Sequence, residues 1–149
     1  MARRMLIEII KKNQNNREII DTSFGNQGKV IRDLEGFTSL YDFKLVQQAD
    51  GKIAAIIKGY HQPSSKEIIR FIRFHSNGEI DTSFGNNGVL NYDMQSISYY
   101  SYYYSFTILP NGDILLGGGD YSHPHKAIIR KFPSTNYSTP TNFFSYYFP

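Results

Sequence analysis

Asp120, His123 and His125 lie within six positions of one another, the tightest grouping of metal-ligand side chains in this 149-residue chain. A zinc site needs three or four convergent ligands. Pro124 makes the stretch a loop, and His61 and His75 stand far from it in sequence, so solvent-exposed histidines are the expectation and no metal is assigned. Asp21 and Asp81 each open an Asp-Thr-Ser-Phe-Gly-Asn stretch that has the oxygens of a calcium loop, with Asn26 or Asn86 in support. Calcium takes six or more oxygen ligands, usually several carboxylates. One Asp per stretch is too few. A structural turn is expected instead: Asp and Ser bond nearby backbone N–H groups, Gly25 and Gly85 take unusual dihedrals, and Phe24 and Phe84 plug the core beneath. Gly117-Gly118-Gly119-Asp120 is glycine-rich, but it follows a strand and no helix follows, so a phosphate cradle is excluded. Zero cysteines remove disulfides, thiolate metal sites and thiol nucleophiles together. With single, scattered carboxylates and no nucleophile elbow, the chain reads as a non-enzyme without cofactor. The weakest alternative is a fragment of a propeller hydrolase using His123 and Asp120.

The run Ser96 to Ser105 is almost wholly Tyr and Ser. Tyr supplies large amphipathic contact area at low entropy cost, and its face stacks on sugars and bases. Tyr102, Tyr104 and Phe106 align with Tyr41, Phe43 and Leu45 and are expected in the core. Tyr99, Tyr100 and Tyr103 are the candidate ligand-binding residues. They carry a second reading of the chain, as a lectin-like or nucleic-acid-binding protein.

What must position these residues is a repeat. Ile20 to Gly28 returns as Ile80 to Gly88, sixty positions later, with only Gln27 and Asn87 differing. A fixed period of tens of residues marks an array or propeller. Within each period the sequence predicts a short strand after the turn, Lys29 to Leu34 and Val89 to Met94. A longer strand follows, Tyr41 to Gln48 and Tyr102 to Leu109, where apolar and polar residues alternate with the period of two of a half-buried strand. Asp50-Gly51 and Asn111-Gly112 then read as two-residue type I′ turns. They lead into Lys52 to Gly59 and Asp113 to Gly118, and Glu67 to Phe74 and Ala127 to Phe132 close each set. Four antiparallel strands on short turns make a propeller blade. The expected fold is therefore all-β and propeller-like, with blades at 20–79 and 80–139. Residues 1–19 are a strand completing a neighbouring blade, with Leu6 to Lys12 read as strand rather than amphipathic helix. Residues 140–149 are a degenerate third repeat or a cap.

Three segments resemble the bacterial delta-sixty repeat family of β-propeller-like repeats. They are Asp-Thr-Ser-Phe-Gly-Asn-x-Gly at 21–28 and 81–88, the Asp50 to Ile53 turn with its variant Asn111 to Ile114, and Arg73-Phe74 with Asn77-Gly78 leading into Asp81, echoed by Lys131-Phe132. The resemblance runs from about Ile20 to Phe132. The chain departs from the family in its Tyr/Ser run and in having too few copies to close a ring. The family has no agreed catalytic activity, so the resemblance implies a fold and a binding or structural role. It also implies a surface or secreted setting, since the family is often found there.

Composition sets the remaining bounds. The formal charge is +3, and Lys and Arg are interleaved with acids rather than gathered into a stripe, so nucleic acid is not the expected partner. No apolar stretch approaches a membrane span. The apolar run near the N-terminus is broken by Glu8 and is too short for a signal peptide, so the chain as written is expected to stay where it is made. Two blades would leave broad apolar faces and strand edges exposed. A cyclic homo-oligomer of three or four chains is the expected remedy, with a self-closed sandwich as the alternative. A protein or glycan ligand is compatible with either.

Overall fold

The computed structural model describes residues 3–93, 101–120, 126–134 and 142–147. The described chain is all-β, with antiparallel sheets and no α-helix; a single 3-10 turn spans Gln62–Ser64. Its strands are β1 (Arg4–Glu8), β2 (Ile10–Lys12), β3 (Glu18–Ile20), β4 (Lys29–Asp33), β5 (Phe37–Gln47), β6 (Ile53–His61), β7 (Lys66–Phe74), β8 (Val89–Asp93), β9 (Ser101–Ile108), β10 (Ile114–Asp120), β11 (Lys126–Phe132) and β12 (Asn142–Tyr147). Two four-stranded meanders, β5-β6-β7-β8 and β9-β10-β11-β12, carry most of the chain. Before them stand a pair, β1-β4, and a small hairpin, β2-β3. The segment Leu6 to Lys12, read as one strand, is extended but divided at Ile9 between β1 and β2, which belong to different sheets.

The sheets are out of phase with the sequence repeat. The strand that follows the Asp-Thr-Ser-Phe-Gly turn was expected to open a new blade. Instead β8 pairs with β7, Val89 opposite Ile72 and Tyr92 opposite Ile69, and so completes the sheet begun before the turn. The turn itself is the reason. Phe74 bridges Ile80, the Phe84 amide donates to the Asp81 carbonyl at 3.1 Å, and Asn86 bridges Val89, so the chain is sent back along β7. The β1-β4 pair repeats this arrangement: Lys29 and Val89 are the same repeat position, and Glu8 faces Lys29 as Ile72 faces Val89. It is the second half of a sheet, in which β1 stands for β7 and β4 for β8. β12 takes the corresponding fourth place beside β11, with Phe144 opposite Ile129. Of the segment read as a decayed turn, residues 142–147 are therefore strand, while 140, 141, 148 and 149 lie outside the described residues.

The hairpin turns also differ from expectation. Gln48 and Lys52 pair around a three-residue loop in which only Gly51 has positive φ, +83°. Leu109 and Asp113 do the same around Gly112, +88°. This is a type I turn followed by a left-handed glycine bulge, which asks for positive φ at one position where type I′ asks for two. His75 to Glu79 and Asn13 to Arg17 close in the same way, with Gly78 and Asn16 at the left-handed place.

Two cores hold three layers together. The first joins Met5 and Ile7 of β1 to Ile53, Ala55 and Ile57 of β6 and to Ile68, Ile72 and Phe74 of β7, with Phe24 at its end. The second joins the opposite face of that sheet, Ile56, Ile69, Phe71, Leu90 and Tyr92, to Ile114, Leu116 and Phe132, with Phe84 at its end. The middle sheet is thus apolar on both faces, which is why β6 and β7 read as near-continuous Ile/Ala/Phe runs rather than alternating ones. β5 behaves differently. Tyr41, Phe43 and Leu45 were expected in the core but are exposed, Phe43 and Leu45 each to 42%. Their alternation is genuine, yet among the described residues none of the three belongs to either core. Phe106, in the place of Leu45, is half-buried against the second core.

Candidate functional site

The two Asp-Thr-Ser-Phe-Gly turns are the most chemically distinctive sites that the repeat positions. In each, one carboxylate oxygen of the Asp accepts from the Ser two residues on. The Ser23 amide and hydroxyl lie 3.2 and 2.6 Å from Asp21 Oδ1, and the Ser83 amide lies 3.1 Å from Asp81 Oδ1, which also takes the Ser83 hydroxyl. Gly25 and Gly85 sit at φ +55° and +57°, where a Cβ would come within 2.3 and 2.4 Å of the Lys29 and Val89 carbonyl oxygens. The Gly25 amide donates to the Asn77 carbonyl at 2.7 Å and that of Gly85 to Ser134 at 3.1 Å, so each turn is pinned to a turn of the following sheet. Phe24 and Phe84 are fully buried. In each turn of Asp21, Phe24 and Gly25 and of Asp81, Phe84 and Gly85, the Asp carboxylate, the Ser amide and hydroxyl and the Gly amide are hydrogen-bonded to protein groups.

The copies differ in the cation that meets the Asp: Arg73 reaches Oδ2 of Asp81, whereas Lys11 reaches the same Oδ1 of Asp21 that accepts from Ser23. Asp81 is buried, and its Oδ2 takes the Nε of the buried Arg73 at 2.8 Å, with Lys52 at 3.7 Å. The Arg73 guanidinium lies 4.5 Å over the Phe84 ring. Burial pushes the Asp81 carboxyl up, but the Ser83 hydroxyl and the Arg73 charge outweigh it and hold the group below its ordinary value. In the first copy Ile9 stands in the place of Arg73, since each sends its carbonyl to the turn Asp amide and its amide to the turn-closing glycine. Asp21 is met by Lys11 at 2.7 Å, and the hydrogen bonds from Lys11 and Ser23 hold it at about 2. The sequence motif included Arg73 without revealing its partner. Its position eight residues before Asp81, against ten for Lys11 before Asp21, was the available signal.

A groove of about 390 Å³ opens between the first two layers, lined by Arg32, Asp33, Glu35 and Arg70 over Ile72 and Val89. It exists because Arg32 occupies the repeat position of Tyr92. At the second interface the Tyr92 ring fills that space, 4.6 Å from Phe132 and 5.9 Å from Phe71, and its hydroxyl donates to the Pro133 carbonyl at 2.8 Å. Burial, with Asp113 nearby, pushes that phenol up to about 12. Arg70 bonds Asn91 at 2.8 Å and the Glu35 carbonyl at 3.0 Å and lies 4.8 Å over the Phe37 ring. Burial and then the charge of Arg32 lower its pKa, with Glu35 acting in the opposite sense. Nothing in the sequence pattern singled out Arg32 or Tyr92.

The tyrosine candidates are not gathered by the described structure. Tyr99 and Tyr100 lie outside the described residues, and Tyr103 is placed only as a backbone position of β9 opposite Gly118. His123 and His125 also lie outside, while Asp120 ends β10. Among the described residues no three His, Asp or Glu side chains form a metal-binding group, and no helix is long and apolar enough to cross a membrane. Compared with protein-family models, curated proteins and solved structures, the chain matches none.

Proposed function

We propose that the chain is a non-enzymatic repeat module for binding or scaffolding, a partial β-propeller of the delta-sixty kind. The observation that carries this reading is the use to which the repeated residues are put. Both copies of the most specific motif spend the Asp carboxylate and the Ser amide and hydroxyl on bracing the turn itself, and the Gly amide on joining one sheet to the next. A residue set repeated for chemistry would leave an acid, base or donor pointing at solvent. A set repeated for stacking would look like this one. Four-stranded meanders packed face to face, with successive turns interlocked, are the material from which propellers are built.

In this reading the module works by assembly. Three or four chains supply the layers that one chain lacks and form a cyclic homo-oligomer. Light scattering on the full chain tests the proposal: a mass of three or four chains is expected, and a monomer that stays soluble at high concentration would contradict the ring.

A further inference from the structure

The two interfaces between layers follow one plan and differ in charge at two facing positions. Arg32 alternates with Val30 and Leu34 in β4 and its turn, and Arg70 alternates with Ile68 and Ile72 in β7. All four apolar neighbours pack in the first core, so both guanidiniums are directed into the space between the layers. At the second interface Tyr92 holds the place of Arg32. Ile128 holds that of Arg70: Phe132 is opposite Ile114 as Phe74 is opposite Ile53, and Ile128 stands four residues before Phe132. Tyr92 and Ile128 are both buried, and that interface closes. At the first, two cations face each other across the groove of about 390 Å³. Asp33 is taken by Arg4 at 2.8 Å, and Glu35 offers Arg70 its backbone carbonyl. Among the described residues neither guanidinium has a carboxylate in ion-pair contact, and Arg32 donates to no protein oxygen. The groove is lined from β4, its turn, β7 and β8, and β4 is the counterpart of β8, the edge strand of a complete four-stranded sheet, so the repeat places no further strand there.

We propose that the groove between Arg32 and Arg70 is a binding site for a small aromatic carboxylate. The carboxylate lies between the two guanidiniums, whose planar forks match its oxygens in pairs and whose mutual repulsion it relieves. The ring rests on Ile72 and Val89, in the space that the Tyr92 ring fills at the next interface. The volume falls within the range of about 300–1,000 Å³ usual for small-ligand sites. An apolar floor with two convergent cations selects for a ring that carries a charge, over a bare anion or a neutral ring. The site goes beyond the assembly proposed above and is independent of it, since one chain supplies every lining residue.

Benzoate titrated into the full chain, followed by calorimetry and by amide chemical shifts, is the test. One saturable site is expected, with shifts concentrated at residues 31–35, 70–72 and 89. Acetate, which lacks the ring, and benzyl alcohol, which lacks the charge, should each bind about tenfold more weakly or worse. Arg32→Gln should lose about tenfold in affinity, the worth of a hydrogen bond to a charged group. Arg17→Gln, at an exposed position in the β2–β3 turn, removes the same charge and should leave binding unchanged. Arg32→Tyr, which installs the residue of the second interface, should abolish binding. The melting curve of each variant reports whether it remains folded, and the shifts in the unaltered chain are a readout that no substitution affects. Absence of saturable benzoate binding, shifts centred elsewhere, or equal binding by Arg32→Gln or Arg32→Tyr overturns the site. Acetate binding as tightly as benzoate, or benzyl alcohol doing so, overturns the aromatic carboxylate. An equal loss in Arg17→Gln reduces the effect to overall charge and overturns it as well. A monomeric mass in light scattering would count against the ring and leave this site standing.

Discussion

Arg73 and Asp81 form the most consequential contact between two side chains in the second turn, because both are buried and the contact is direct. Removing one partner of such a pair leaves the other charge uncompensated, which costs about 3 kcal/mol or more. Asp81→Ala should therefore lower stability in urea by about that amount. Asp21→Ala should cost much less, since Lys11 at its side remains solvated. The pair also sets an acid limit. The folded carboxyl of Asp81 lies below its unfolded value near 3.8, so its contribution is complete above that pH and is lost as pH falls through the folded value. Wild type should show this acid loss in urea midpoints, and Asp81→Asn should show a shallower one. Gly85→Ala should cost at least about 1–2 kcal/mol, because a left-handed alanine there also strikes the Val89 carbonyl. The turn residues were legible in the sequence because their job is local and repeats. Arg73 was legible only as a member of the motif, since its burial depends on Phe84 and on the neighbouring Gly112 turn, where an added Cβ would lie 3.4 Å from the guanidinium.

At the scale of elements, the two interfaces differ by what stands at one repeat position. Tyr92 is wedged between layers, whereas Arg32 leaves a groove. Arg32→Phe should fill part of it and raise the thermal midpoint, read by circular dichroism. Phe84→Ala should cost about 3–5 kcal/mol, the usual consequence of emptying a fully buried aromatic site. Strand existence was readable from alternation and turn residues nearly everywhere. Burial was not. Leu45 and Phe106 hold the same place in equally alternating strands, yet Phe106 packs against the second core while Leu45 is exposed, so packing between layers and not the pattern decides which side chain meets water. The β3 strand went unseen because it extends a hairpin whose first copy is longer by two pairs, Lys11 opposite Ile19 and Lys12 opposite Glu18.

For the whole molecule, the organising fact is that each turn closes a sheet instead of opening the next. The sixty-residue period was plain in the sequence, but a period has no phase. Where a sheet begins depends on long-range pairing that a repeat unit carries equally well at any starting point. The phase has consequences: among the described residues β1 pairs with β4 alone, and each turn meets a turn that follows the third strand of the next sheet. The absence of cysteine from the chain makes this directly measurable. Arg70 and Asn91 are register partners in β7 and β8, close enough in an antiparallel pair for a disulfide. The variant Arg70→Cys with Asn91→Cys should oxidise within the monomer, detected by mass and by mobility without reductant. Asn91→Cys with Thr107→Cys, which would join β8 to β9 if the strand after the turn opened the next sheet, should stay reduced. Cross-linking of the second pair and not the first would contradict the account.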